Sequence, residues 1–186
     1  MMQAFIAVEI GEAARAEVAR LQEGLRAAGA DVKWVEPENL HLTLKFLGEI
    51  GESQAEQLAD RLKSSLVLSP FAFTLEGTGA FPKLENPRII WAGTGAGKEQ
   101  LAGLAREVEE ACGRCGFPPE ERPFSPHLTI GRVRSRNRVE SLAQRLGSAE
   151  FKAGSPTRVE KAVLFQSTLT RSGPVYRPVR EIPLKR

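Results

Sequence analysis

Cysteine, histidine and tyrosine are scarce in this chain, whose 186 residues contain two cysteines, two histidines and one tyrosine. Two cysteines do not make a disulfide scaffold of the kind found in small secreted domains. No stretch approaches the ~18–20 apolar residues that a membrane span needs. The start of the chain has no basic region, and Glu9 interrupts its apolar run, so we find no signal peptide. We therefore expect a cytoplasmic protein.

The overall composition is that of a globular protein. Hydrophobic residues make up 41% and charged residues 26% of the chain, both within the usual range. Its length suits one domain, or one domain built of two lobes. The net charge of +3 and pI near 9.1 permit a polyanionic partner without requiring one.

The two histidines open two copies of one short motif. His41-Leu-Thr43 is followed by Leu-Lys-Phe, and His127-Leu-Thr129 is preceded by Ser-Pro. The chain has eight threonines, so chance places one two residues after both histidines with odds of roughly 0.002, low enough to outweigh the false-positive risk of short motifs.

Both motifs have the pattern of β-strands, being short, rich in Leu, Ile and Thr, and bounded by turn residues. Side chains alternate along a strand. His41 and Thr43 therefore share one face while the leucines between and after them point to the core, and His127 and Thr129 do the same. Each motif presents an imidazole beside a hydroxyl on a rigid support.

Periodicity and turn residues predict the remaining elements. We expect further strands at Ala4–Glu9, Val32–Val35, Phe71–Glu76, Arg88–Ala92, Val159–Phe165 and Val175–Ile182. We expect helices at about Gly11–Ala28, Ser53–Leu68, Lys98–Cys112 and Val139–Leu146, a first histidine strand that ends at Gly48, and a Gly/Pro-rich connection over Gly77–Pro87.

The elements occur in the same order twice. The histidines are 127 − 41 = 86 residues apart, and the same offset places Phe5 on Trp91 and strands on strands. We interpret residues 1–186 as a single domain with an internal duplication, approximately 1–80 and 87–167, closed by a strand at 175–182. A pseudo-twofold axis between two lobes would bring the histidine strands together across one cleft. Two generic β-α units are the alternative.

Two imidazoles near their ordinary pKa of about 6.5 can act as a general acid and a general base, each worth typically ~10²–10⁴-fold in rate. The threonine hydroxyls can donate hydrogen bonds to oxygens that gain negative charge. No acidic cluster accompanies the histidines, so we expect neither a metal nor another cofactor. This set suits the hydrolysis of a phosphodiester.

Cationic and aromatic side chains near the motifs are candidate substrate contacts. Lys45 lies on the His41 face of a regular strand and is predicted to add charge to the cleft. Arg132 would face the core on a regular strand, and needs a β-bulge at Gly131 to reach a phosphate. The basic run Arg132, Arg134, Arg136 and Arg138 is either a solvated face or an RNA-backbone contact. Phe46 and Trp91 either stack on a base or belong to the core.

Two other motifs are weak. Cys112-Gly-Arg-Cys115 lacks further zinc ligands, and it lies at a helix end where a redox pair would need a helix start. Gly93–Lys98 hints at a phosphate loop, but Ala92 and Glu99 occupy the positions that require Gly and Ser/Thr.

The chain resembles the 2H phosphoesterases, and within them the bacterial and archaeal RNA 2′,3′-cyclic phosphodiesterases once called 2′-5′ RNA ligases. The paired motifs are specific and the resemblance covers nearly the full length. It includes the segments Phe5–Val8, His41–Gly48, Gly79–Pro82, Pro87–Trp91, Pro126–Arg132 and Ser172–Tyr176.

The resemblance implies an α+β fold with two pseudo-symmetric lobes, each with an antiparallel sheet flanked by helices, and a cleft between them. It implies that a 2′,3′-cyclic phosphate on RNA or a nucleotide is opened to a 2′-phosphate. His41 would then be the proton donor to the leaving 3′-oxygen, His127 the proton acceptor that activates water, and Thr43 and Thr129 phosphate ligands.

Two other functions are compatible with the same residues. One is a 2′-5′ RNA ligase that joins tRNA halves by the same chemistry in reverse, and the other is an RNA-binding module without catalysis. We expect no obligate protein partner and a monomer.

Overall fold

The computed structural model describes residues 1–186. Its strands are β1 (Met2–Glu9), β2 (Val32–Trp34), β3 (His41–Ile50), β4 (Phe71–Phe73), β5 (Leu75–Lys83), β6 (Asn86–Thr94), β7 (His127–Val133), β8 (Thr157–Val159), β9 (Lys161–Thr170) and β10 (Gly173–Pro183). Its helices are α1 (Glu12–Arg26), α2 (Glu52–Ser65), α3 (Lys98–Arg114) and α4 (Val139–Ser148), with a 3₁₀ turn at Pro37–Asn39. None of the helices combines the length and apolarity needed to cross a lipid bilayer.

The strands form two four-stranded antiparallel sheets, in the orders β10-β9-β1-β3 and β2-β7-β6-β5, and a two-stranded sheet of β4 and β8. We refer to the first as the β3 sheet and to the second as the β7 sheet. The predicted α+β architecture with one antiparallel sheet in each lobe is confirmed.

Each sheet is covered by two helices on the face away from the other sheet. The helices α2 and α3 contact each other and pack on the β3 sheet, while α1 and α4 pack together on the β7 sheet. In α1 the buried residues recur at helical spacing, at Ala14, Val18, Gln22 and Leu25, because one stripe of an amphipathic helix faces the core. Buried Gln22 donates to the carbonyl of Ile130 at 2.9 Å, which ties α1 to β7.

The two halves of the chain are not the two lobes. Both four-stranded sheets combine strands of the two halves: β5 of the first half pairs with β6 of the second, and β9 of the second half pairs with β1 of the first. Each lobe therefore contains strands from both halves, so the bounds of the predicted duplication, 1–80 and 87–167, are not the bounds of the lobes. The exchange satisfies the edge of β1 and the edge of β6 with a strand from the other half.

The short strands β4 and β8 pair one segment of the first half with one segment of the second half. They are 86 residues apart and pair antiparallel with each other, Phe71 opposite Val159, Ala72 opposite Arg158 and Phe73 opposite Thr157. Ala72 faces its own equivalent, Arg158, and the two flanking pairs lie symmetrically about it, so a local twofold relation runs through the Ala72–Arg158 pair.

The predicted connection over Gly77–Pro87 is instead most of a β-hairpin formed by β5 and β6. Glycine in a strand often marks a close approach by another group, and here the ring of Trp91 lies where a Cβ of Gly79 would be. Gly79 is therefore required by packing, whereas Gly77 has φ of +78° and no atom near its Cβ position. The first histidine strand also continues past Gly48 to Ile50.

Candidate active site

The two histidine strands meet between the lobes. The edge strand β3 of one sheet contacts β7 of the other, and His41 and His127 open these strands with partly buried side chains. The β9–β10 hairpin joins the sheets at one end. The ammonium of Lys33 donates to the backbone carbonyl of Ser172 at 3.3 Å, and the side-chain amide of Asn39 donates to the backbone carbonyl of Pro174 at 2.9 Å.

Each imidazole is oriented by a hydrogen bond from Nδ1 to the backbone carbonyl of the residue two positions before it. Nδ1 of His41 lies 2.6 Å from the carbonyl oxygen of Asn39, and Nδ1 of His127 lies 2.7 Å from that of Ser125. A carbonyl only accepts, so Nδ1 carries the proton and donates it. This leaves Nε2 of each neutral ring as the nitrogen available to a substrate.

His41 is enclosed by aromatic rings from its own sheet. Phe5 stacks against it with centroids 4.7 Å apart, and Tyr176 meets it edge-on at 5.0 Å. These rings continue into a small buried cluster with Phe165, Ala7 and Val163. The cluster lines the cleft face of the β3 sheet.

Burial lowers the pKa of His41 to about 4, since desolvation disfavours the charged ring. The hydrogen bond to Asn39 opposes this, while the charges of Arg132 and Arg15 lower the pKa further. Arg132 also acts on the phenol of Tyr176, whose pKa is raised mainly by burial. The guanidinium of Arg132, on the β7 sheet, is therefore close enough to act on side chains of the β3 sheet.

His127 has a matching aromatic shell. Phe81 meets it edge-on at 5.0 Å, and Trp91 lies at 6.5 Å. Trp91 and Phe5 are equivalent positions of the two halves, and the ring of each reaches its histidine from the neighbouring strand. Trp91 is held over Gly79, so its ring packs in the wall of the cleft.

A β-bulge interrupts each histidine strand at the same place. Thr43 pairs with Ala7 and Lys45 with Ile6, so Leu44 is the extra residue. In β7, Thr129 pairs with Trp91 and Gly131 with Ile90, so Ile130 is extra. The bulge that Arg132 requires is present next to Gly131.

The bulge of β7 turns Arg132 onto the face of His127 and Thr129. Leu128, Ile130 and Gly131 are all buried on the opposite side, and Arg132 is exposed. A side chain at position 131 would collide with Val32 of the adjacent β2, which explains a glycine at this point.

The bulge of β3 turns Lys45 away from the cleft, so the prediction that Lys45 adds charge there is wrong. Lys45 is only 3% exposed, and its ammonium donates to Oε2 of Glu109 at 2.8 Å and to the carbonyl of Pro118 at 3.0 Å. Regular alternation places Lys45 with His41, and the extra residue Leu44 inverts that pattern.

The same bulge places Phe46 on the cleft face. It pairs with Phe5, its ring lies 6.2 Å from that of Phe5, and it is 66% exposed. Phe46 is therefore not a core residue.

The basic run after the second motif does not form one stripe. Arg134 pairs with Asp31 at 3.3 Å, and Arg138 packs over Gly29 near the end of α1. Only Arg132 of the run acts on His41.

The remaining sequence motifs have no counterpart in a site. No group of three His, Cys, Asp or Glu side chains is arranged to hold a metal ion. Cys112 and Cys115 are free, and burial raises the pKa of the Cys112 thiol to about 12.

Two matches to one protein family cover most of the chain. The family described as LigT-like phosphoesterases matches residues 8–91 and again residues 94–176. The chain belongs to this family. The predicted resemblance is confirmed, and the two matches begin at the same 86-residue offset as the histidines.

Named relatives cover almost the full chain. The RNA 2′,3′-cyclic phosphodiesterase of Methanothermobacter thermautotrophicus is 37% identical, over 94% of this chain and 95% of its own. That of Archaeoglobus fulgidus is 38% identical, over 96% and 98%. The crystal structure of TT0787 of Thermus thermophilus superposes with a TM-score of 0.81 at 29% identity, covering 98% of each chain.

Proposed function

We propose that this protein hydrolyses the 2′,3′-cyclic phosphate at the end of an RNA or on a nucleotide to a 2′-phosphate, with His41 and His127 as the acid and base pair. The observation that carries the proposal is the matched presentation of two imidazoles from two adjoining strands, with Nδ1 held by a carbonyl in each case. Relatives named for this reaction at 37% and 38% identity support the substrate class.

The reaction needs one proton removed and one supplied. Nε2 of His127 takes a proton from water while the water oxygen attacks phosphorus. The bond from phosphorus to O3′ breaks, and Nε2 of His41 delivers a proton to that oxygen. The products are a 2′-phosphate and a 3′-hydroxyl, and the histidines exchange protons with solvent before the next turnover.

His41 must bind a proton before it can donate one. Its pKa of about 4 in the free protein makes the ring neutral at pH 7. The anionic phosphate of the substrate would offset the charge of Arg132 and raise the pKa of His41, because a nearby opposite charge favours the protonated ring. In this proposal the binding of the substrate promotes the protonation of His41, which then acts as the proton donor.

Arg132, Thr43 and Thr129 complete the site. Negative charge grows on the non-bridging oxygens in the transition state, and a guanidinium can hold two of them at once. The two hydroxyls lie on the same faces as the histidines and donate to the same group. The cleft face of each sheet thus supplies one histidine and one hydroxyl.

The test is product analysis with two matched variants. Adenosine 2′,3′-cyclic monophosphate is incubated with the protein and EDTA, and the product isomer is identified by ³¹P NMR. We expect the 2′-phosphate at an unchanged rate in EDTA. We expect His41→Ala and His127→Ala each to lose about 10²–10⁴-fold while circular dichroism remains that of the wild type.

Other outcomes would contradict the proposal. A 3′-phosphate product would reverse the regiochemistry. A chelator-sensitive rate, or either alanine variant near the wild-type rate, would remove the two-histidine mechanism. Joining of RNA ends in place of hydrolysis would identify a ligase.

A further inference from the structure

A cross-strand pair of polar side chains lies directly beyond the exposed ring of Phe46. Gln3 of β1 pairs with Glu49 of β3, and Phe5 pairs with Phe46. Paired residues share a face of a sheet, and so do residues two apart on a regular strand. Gln3, Glu49, Phe5 and Phe46 therefore all lie on the cleft face.

A second bulge in β3 brings Glu49 to this face. Gly48 pairs with Ala4 and Phe46 with Phe5, so Leu47 is the extra residue. Gly48 has φ of +72°, a left-handed conformation that glycine adopts without strain. Without this bulge, Glu49 would point to the core and Ile50 to the cleft.

Both polar side chains are available to a ligand. Gln3 and Glu49 are exposed. The neighbouring carboxylates Glu52 and Glu56 pair with Arg180 on β10, whereas Glu49 has no such cation.

The order of residues along β3 gives the direction in which a bound nucleotide would run. From the histidine outward, the cleft face presents His41, Thr43, Phe46 and then Glu49. A phosphate held at Thr43 and a base stacked on Phe46 place the ribose between them. The Watson–Crick edge lies on the side of the base away from the ribose, so it points to Gln3 and Glu49.

Resting on the function proposed above, we infer that Gln3 and Glu49 read the Watson–Crick edge of the terminal base and favour guanine. The carboxylate of Glu49 accepts two hydrogen bonds from N1–H and the N2 amino group of guanine, and the amide of Gln3 donates to O6. Adenine presents an acceptor at N1, which meets the carboxylate unfavourably. Cytosine offers a single amino donor.

The experiment compares kcat/KM for the 2′,3′-cyclic monophosphates of guanosine, inosine and adenosine. A bidentate pair discriminates by ≈ 1–3 kcal/mol between bases. At this exposed position we expect guanosine to exceed adenosine about tenfold. Inosine, which lacks the N2 amino group, should fall between them.

Variants separate the base contact from the reaction. Glu49→Gln should lower kcat/KM for guanosine about tenfold and change that for adenosine less than about twofold. Glu140→Gln, on α4 away from the cleft, is the matched control and should change neither substrate.

Two failures are distinguishable. Equal kcat/KM for the three nucleotides, or an equal effect of Glu49→Gln on all of them, overturns the base reading and leaves the hydrolase intact. Absence of hydrolysis with every nucleotide overturns the proposed function and this inference together.

Discussion

Phe46 and Arg132 occupy the same position in the two repeats, five residues after their histidines, and each is turned onto the cleft face by a β-bulge. The fold thus presents an aromatic ring from one lobe and a guanidinium from the other at equivalent points. A nucleotide is equally unsymmetrical, with a flat base at one end and a charged phosphate at the other. The two matched strands are suited to hold one such molecule in a single orientation.

The first prediction concerns Arg132. Replacement by alanine removes the cation that faces the proposed phosphate, and we expect kcat to fall by about 10²–10³-fold, as for the loss of one transition-state donor. Arg132→Lys keeps the charge but not the paired donors, so its activity should lie between that of the wild type and that of Arg132→Ala. Steady-state kinetics with a cyclic nucleotide measures both.

The control for Arg132 is Arg136→Ala, an exposed arginine of the same run. It should stay within about twofold of the wild type if position and not total charge matters. An Arg132→Ala variant as active as Arg136→Ala would exclude a phosphate contact.

The second prediction concerns Lys45 and Glu109. Lys45→Met removes a buried cation and leaves Glu109, whose side chain is 33% exposed, able to regain water. Glu109→Leu leaves the buried ammonium with the more distant carboxylate of Glu120, at 3.7 Å, and the carbonyl of Pro118. We expect the second variant to lose up to about 3–5 kcal/mol of unfolding free energy and the first clearly less, both measured by urea denaturation.

Catalysis gives the complementary measurement for Lys45. Because its ammonium points to α3 and not to the cleft, Lys45→Met should keep kcat/KM within about threefold of the wild type at a temperature where both are folded. A loss comparable to that of Arg132→Ala would place Lys45 in the site after all.

Local sequence was sufficient for the helices, for the strands outside the Gly77–Pro87 hairpin and for the faces of His41 and Thr43, because period-2 and period-3.6 patterns depend on near neighbours. Lys45 shows where that reasoning fails. One extra residue in β3 inverts Lys45 and Phe46, up to the second bulge at Leu47, and no residue near Leu44 signals the first bulge. At Arg132 the adjacent glycine did signal it.

The exchange of β5 and β9 between lobes could not be predicted from either segment, since strand partners are long-range contacts. The aromatic shells of the histidines were partly accessible. The 86-residue offset relates Phe5 to Trp91, whereas Tyr176 reaches His41 only through the pairing of β10 with β9. That pairing depends on the whole sheet.

The third prediction follows from the pKa of His41. The folded value of about 4 lies below the unfolded value of about 6.5, so the unfolded chain binds the proton first as the pH falls. Stability from this group is therefore full above pH 6.5, decreases between pH 6.5 and 4, and levels off below pH 4. Between pH 7 and 5 we expect a loss of about 2 kcal/mol from this group.

Comparison with His41→Gln separates the contribution of His41 to the pH dependence of stability from the contribution of the carboxylates, which also titrate as the pH falls. The variant should lose about 2 kcal/mol less than the wild type over the same pH range. NMR titration of the His41 ring should also show a higher pKa in Arg132→Ala, because that variant lacks a cation that opposes protonation. An unchanged His41 pKa in this variant would mean that the guanidinium does not face the ring.

The fourth prediction assigns donor and acceptor. The substrate is a 2′,3′-cyclic nucleotide in which sulfur replaces O3′, so that the bond from phosphorus to sulfur breaks. A thiolate leaves without protonation far more readily than an alkoxide, since thiols ionise near pH 8.5. The variant that lacks the donor should recover on this substrate, and the variant that lacks the acceptor should not, because water still needs activation.

We expect His41→Ala to regain about 10²-fold or more of its lost rate and His127→Ala to remain impaired. Recovery of His127→Ala alone would reverse the roles, which is a meaningful alternative because His41 is neutral at pH 7 in the free protein and a neutral imidazole is a competent base. Recovery of neither would show that protonation of the leaving oxygen does not limit the reaction, and the low pKa of His41 would then have to serve the binding of the phosphate instead.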